Sequence, residues 1–129
     1  MSTNVFKDSL RFMNAIDNTT DGFNVDQFNL YLELVREEFM ELQEAVEAGD
    51  EIETLDALVD ILVVTIGAGH SMGANMEGAW DEVMRTNFAK INPETGKVRK
   101  REDGKVLKPE GWQPPQLSGF LSNKDVDEA

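Results

Sequence analysis

The chain contains no cysteine. That excludes disulfide scaffolds, thiolate zinc sites and cysteine nucleophiles. It has a single histidine, His70. No long apolar run is present: the stretch from Ile61 to Ile66, with Thr65 inside it, is far too short to span a bilayer. The opening residues, Met1 to Asp8, lack a basic region followed by an apolar stretch, so no secretory signal is read there. Basic charge is also scarce, with 12 Lys plus Arg against 25 Asp plus Glu and a net charge of −13 over 129 residues. Such a surplus argues against nonspecific binding to a nucleic-acid polymer or an anionic membrane. The expectation is a soluble cytoplasmic protein. At 40% hydrophobic residues the chain is not compositionally disordered. Its length suits one domain with one modest core, expected over residues 1–121, with 122–129 as a disordered tail.

The acidic surplus is unevenly distributed. Residues 33–60 hold eleven acids and one base, Arg36, a local balance of −10. Residues 85–108 hold eight bases and three acids, a balance of +5. This separation suits metal cations on the first segment and an anionic ligand on the second, although solvated helix faces also carry charge runs.

Apolar spacing predicts four helices. Phe6, Leu10, Met13 and Ile16 place a first helix over about 3–17, ended by the Asn18-Thr-Thr-Asp-Gly22 cluster. A long second helix runs from Asn24 or Val25 to Ala48, with Asn24 as its N-cap and Gly49 as its left-handed stop. Asp50 and Glu53 form a capping-box-like start for a third, which is apolar around much of its circumference and expected to be central. Gly67, Gly69 and Gly73 provide small surfaces for a close helix approach and end that segment. A fourth helix is expected from Asn75 to about Lys90, with Trp80 in the core. After Asn92-Pro93 the pattern predicts a hairpin-like or irregular basic arm around Asp103-Gly104, then an extended tail anchored by Trp112 and a turn of helix near 116–121.

Four carboxylates carry the candidate chemistry. Glu38 and Glu41 are i,i+3 on the second helix, and Asp56 and Asp60 are i,i+4 on the third, so each pair shares a face. Two helices joined by Gly49-Asp50 bring the pairs together. Asp60 interrupts the most apolar stretch of the chain, where an unpaired carboxylate is costly. Four converging acids without a nearby cation make sense around hard divalent ions, which take oxygen ligands. The lack of histidine near them favours magnesium over zinc or di-iron. Glu37 and Glu53 are supporting candidates, and Glu33, Glu44, Glu47 and Glu51 read as a solvated face. Asn87 and Lys90 share a face at the end of the fourth helix and, with Lys97, Lys105 and Lys108, can serve phosphate oxygens. His70 reads as structural or exposed.

Glu37-Glu38-Phe-Met-Glu41-Leu42, Asp56-Ala-Leu-Val-Asp60-Ile-Leu and Asn87-Phe-Ala-Lys90 together resemble the all-α nucleoside triphosphate pyrophosphohydrolases, within them the MazG-like proteins of small phage and bacterial type. The segment Asp103 to Pro115 is similar to one in those short members, and the resemblance runs from about Phe6 to Leu121. It implies a four-helix-bundle-like all-α fold completed by oligomerisation as a homodimer or homotetramer. It also implies hydrolysis of a (deoxy)nucleoside triphosphate to monophosphate and diphosphate, with purine deoxynucleotides such as dGTP or dATP suggested by phage members. Two or more Mg²⁺ or Mn²⁺ ions held by Glu38, Glu41, Asp56 and Asp60 would serve the reaction. Glu38 and Glu41 would act in catalysis, and Asn87, Lys90, Lys105 and Lys108 in substrate binding. One departure stands out: many members have a Glu three residues before the second Asp, where this chain has Ala57. Asp56 or Glu53 would then complete the set. Two rival readings remain, the related phosphoribosyl-ATP pyrophosphohydrolase and an acidic helical binding protein such as a DNA mimic.

Overall fold

An Asn or Asp cap begins each of the first three helices. In the computed structural model, which describes residues 4–121, the side chain of Asn4 accepts from the Lys7 N–H, and α1 runs Val5–Ala15. Asn24 accepts from the Gln27 N–H at 3.1 Å to start α2, Val25–Ala48. Asp50 accepts from the Glu53 N–H at 3.1 Å to start α3, Glu51–Ser71. Each cap satisfies an amide that would otherwise lack a partner in the first turn. Only the forward half of the expected capping box forms at Asp50, because its own N–H bonds the Ala45 carbonyl at 3.0 Å. Gly49 stops α2 at φ 69, the left-handed region that favours glycine. The fourth helix, α4, covers Met76–Phe88, and a 3₁₀ turn covers Ser118–Phe120. The fold is all-α, with no strand among the described residues. The expected tail, 122–129, lies outside the described residues. No described helix is long and apolar enough to cross a membrane.

By their internal contacts the described residues divide into two units, one running to Met76 and including Leu121, the other covering Glu77–Phe120. In the first unit the Gly49-Asp50 link folds α3 back along α2, and α1 packs on α3. Its core joins Met13, Tyr31 and Ala68, with Phe28, Leu32, Leu34 and Val64 packed around them. A polar network closes this end. Buried Gln27 donates to the Thr19 carbonyl and to Ser71 Oγ, both at 2.8 Å, and Ser71 Oγ donates to the Gly67 carbonyl at 2.8 Å. The Tyr31 hydroxyl donates to Asn18 Oδ1 at 2.7 Å.

The helix continues through Gly67 and Gly69 to Ser71, and Gly73 at φ 73 then turns the chain. The expected close approach is present: a Cβ at Gly67 would collide with the Tyr31 ring, and one at Gly69 with the Met76 side chain. Gly67→Ala is therefore expected to destabilise the protein by about 1–3 kcal/mol despite alanine's better helix propensity. A lowered denaturant midpoint checks this, and an unchanged midpoint would mean that Tyr31 is free to yield.

Two packing expectations are corrected. Trp80, expected in the core, is 55% exposed on α4, whose one buried residue among those described is Thr86. The apolar surface of α3 is not enclosed either: Leu55, Leu58, Val59, Leu62 and Val63 are between 47% and 63% exposed. Cover is uneven along α3: Ala57, Val64 and Ala68 share one packed face and the last turns, Ile66 to Ser71, are buried, while the face that carries Leu55, Leu58, Val59 and Leu62 is open.

His70 is buried, with Nδ1 3.1 Å from Ser9 Oγ, which joins α3 to α1. Burial lowers its pKa below the ordinary 6.5. The unfolded chain thus takes up this proton first, and His70 removes stability as pH falls below about 6.5. Urea titrations at pH 7.5 and 5.5 should show a smaller acid-side contribution of this kind in His70→Asn than in the wild type. Equal pH dependence in the two proteins would contradict the burial effect.

Candidate active site

The acid pairs meet where α2 and α3 run side by side. Glu38 and Glu41 lie within hydrogen-bond reach of one another, as do Asp56 and Asp60. The pairs also feel each other across the helices. Burial first, then the charges of Glu41, Asp60 and Asp56, raises the Glu38 pKa above its ordinary value of 4.5. Burial, followed by Asp56 and then Glu41, raises that of Asp60 above 3.8. Each of these groups is thus harder to ionise than in water, first because it is desolvated and then because its nearest charged neighbours are also anions. Glu38 and Asp60 are half-buried, whereas Glu41 and Asp56 are exposed.

One oxygen of this cluster has no partner. Glu38 Oε1 is buried and makes no hydrogen bond. A buried acceptor left unsatisfied is costly, so such atoms often mark a place for a ligand. Among the described residues no three His, Cys, Asp or Glu side chains are grouped so as to hold a metal ion. The four acids are near enough to act on the ionisation of Glu38 and Asp60 without forming such a group. A divalent cation fits this donor set: the groups are hard oxygens, they lack a cationic neighbour, and one lone pair is unused. Glu37 and Glu53 are exposed beside the pairs. Glu33 forms an exposed ion pair with Arg36 at 2.8 Å, in keeping with a solvated face.

The second unit gathers a different set. Helix α4 ends at Phe88, so Lys90 lies two residues beyond it, yet its ammonium donates to Asn87 Oδ1 at 3.0 Å. Trp112 does anchor the tail, its Nε1–H donating to the Thr86 carbonyl at 2.7 Å. Lys90 Nζ lies 5.1 Å from the Trp112 ring centre and Lys108 Nζ 4.8 Å. The structure therefore brings Asn87, Lys90 and Lys108 together. Lys105 is engaged through its backbone, its N–H donating to Asp103 Oδ1 at 3.0 Å beside Gly104 at φ 91. An isolated antiparallel bridge pairs Lys100 with Val106 around that turn. Sequence reading missed the shared ring: Lys108 and Trp112 lie in an irregular segment, where spacing carries no directional signal. It also missed Glu82, which receives two hydrogen bonds from Arg85, at 2.9 and 2.8 Å, and one from the Gln116 N–H at 2.9 Å. These donors hold the Glu82 carboxyl at about 2 and tie the tail to α4.

Comparison with known families supplies a match over residues 10–87, to the family described as phosphoribosyl-ATP pyrophosphohydrolase, one of the MazG-like all-α pyrophosphohydrolases. No individually curated protein matches the chain significantly.

Proposed function

The chain belongs to the phosphoribosyl-ATP pyrophosphohydrolase family, and from that premise we propose that it hydrolyses a nucleoside triphosphate to the monophosphate and diphosphate. The observation that carries the reading is the meeting of Glu38, Glu41, Asp56 and Asp60 around an unpartnered buried oxygen, Glu38 Oε1. MazG-like pyrophosphohydrolases are generally dependent on divalent metal. Glu38, Glu41, Asp56 and Asp60 would hold Mg²⁺ or Mn²⁺. The bound cation would neutralise phosphate charge and acidify a water near it.

The residues then divide the work. Glu38 accepts a proton from the water that attacks the α-phosphorus, as a general base. Glu41 and Asp56, exposed at the edge of the cluster, share the charge that keeps the cation in place. Asp60 would add a carboxylate to that set from α3. Asn87, Lys90, Lys105 and Lys108 are the groups of this chain whose donors and positive charge suit phosphate oxygens. The open apolar face of α3 supports assembly as a homodimer or homotetramer.

The family match favours a second substrate on the same chemistry. Phosphoribosyl-ATP carries a triphosphate, and its cleavage likewise releases diphosphate. An assay of diphosphate release with Mg²⁺ or Mn²⁺ should separate the two, using all common ribo- and deoxynucleoside triphosphates and phosphoribosyl-ATP, with the nucleotide product identified. Turnover of the triphosphates, purine deoxynucleotides foremost, supports the first reading, and turnover of phosphoribosyl-ATP alone supports the second. Inactivity on every substrate would leave the acidic binding protein as the better account.

A further inference from the structure

Trp112 has more to do than anchor the tail. Two ammonium groups lie about 5 Å from the centre of its ring, and hence within about 10 Å of each other. Their treatment differs from that of neighbouring bases. Arg85 gives its charge to Glu82 and Arg101 gives its charge to Asp103, at 2.8 and 2.6 Å. Lys90 and Lys108 form no ion pair among the described residues, and both turn to the same indole. The ring itself is fixed from below by the 2.7 Å bond to the Thr86 carbonyl at the end of α4. Lys90 is held from a second side by Asn87 Oδ1 at 3.0 Å.

We propose that Trp112 is a positioning residue that gathers Lys90 and Lys108 into a clamp for a diphosphate group. The electron-rich face of the indole attracts both cations and offsets part of their mutual repulsion. Side chains as long as lysine's would otherwise spend most of their time apart, and ordering them at the moment of binding costs entropy. A ring that holds them beforehand removes part of that cost. Two like charges within about 10 Å of each other favour a multiply charged anion over a monovalent one. The inference takes its ligand class from the pyrophosphohydrolase reading, but the clamp itself lies wholly within the second unit.

Inorganic pyrophosphate is the probe, titrated in chelator so that the acidic cluster contributes no metal. The full chain with Trp80→Phe leaves Trp112 as the only tryptophan, and its fluorescence should change saturably as pyrophosphate binds the ammonium groups held beside the ring. Lys90→Ala and Lys108→Ala should each weaken binding about tenfold, consistent with loss of one charged contact. Two substitutions at Trp112, followed calorimetrically, separate positioning from anchoring. Phe and Leu both lose the bond to Thr86, but only Phe keeps an aromatic face. Trp112→Phe should bind within about threefold of the wild type, and Trp112→Leu about tenfold more weakly. Helical circular dichroism confirms that each variant is folded. Equal affinity in Phe and Leu variants, or pyrophosphate binding indifferent to both lysines, would overturn the clamp. Clamp behaviour as described, in a protein inactive on every nucleotide, would instead refute the hydrolase reading and leave the clamp standing.

Discussion

Asp60→Asn is expected to lower catalytic efficiency by on the order of 10³-fold while making the metal-free protein slightly more stable. The two effects have opposite signs because they draw on the same charge. Asp60 is half-buried on α3 next to Asp56 and across from Glu41, and burial and these neighbours raise its pKa. Its ionised form is thus strained in the absence of a cation. For an acid with a raised folded pKa, the stabilising contribution is complete below the unfolded value of 3.8 and is lost as pH rises through the raised one. At neutral pH the wild type therefore carries a repulsion that asparagine removes. The site is partly solvated, so the gain is small, about 1–3 °C in melting temperature.

With metal the sign reverses. A cation bound to the native state stabilises it by about 2.7 kcal/mol at a hundred times its dissociation constant, and losing one carboxylate ligand weakens that binding. Loss of several kcal/mol of transition-state stabilisation corresponds to the thousandfold fall. Melting curves in chelator and in Mn²⁺, beside diphosphate-release kinetics, give all three quantities. Glu41→Gln should behave alike in kinetics. Undiminished turnover in both variants would remove the acidic cluster from catalysis. A wild type whose melting temperature ignores Mn²⁺ would remove the cation.

Leu62→Lys is expected to convert an oligomer into a monomer without unfolding the chain. Leu62 is 59% exposed, in line with Leu55, Leu58 and Val59 at the helical spacing of one face. A charge added at an exposed position costs the single chain little. In a two-fold dimer each substitution appears twice. Burial of a leucine side chain is worth about 1.5–3 kcal/mol, so two lost side chains weaken association by roughly 10²–10⁴-fold before the cost of burying lysine is added. Light scattering coupled to size exclusion at micromolar concentration measures this. A wild type that is already monomeric there, or a variant with unchanged mass, would show that another surface holds the copies together or that none does.

How far local chemistry reaches is clearest at the helix ends. Asn24, Gly49 and Asp50 were legible as a cap, a stop and a cap because each acts within four residues of itself, through backbone groups whose needs any helix shares. The i,i+3 and i,i+4 spacing put Glu38 with Glu41 and Asp56 with Asp60 for the same reason. The short link at Gly49-Asp50 then made their meeting across the helices nearly unavoidable.

Tertiary packing decided the rest. The acidic surplus and the missing cysteines, read from composition, excluded thiolate chemistry and pointed to oxygen donors. They could not say which of the acids would be desolvated. Only the pairing of α2 with α3 buried Glu38 Oε1 without a partner and left Glu41 exposed. Hydrophobicity marked the third helix as central, but burial depends on what lies opposite: the single chain encloses Ile66 to Ser71 and leaves Leu55, Leu58, Val59 and Leu62 open. The scarce basic residues were equally undecided by sequence: Lys90 and Lys108 are eighteen positions apart, and it is the Trp112 ring, fixed on the Thr86 carbonyl, that makes them neighbours. Periodicity is a property of one segment, whereas desolvation and juxtaposition are properties of two segments in contact, and that contact is what the fold adds.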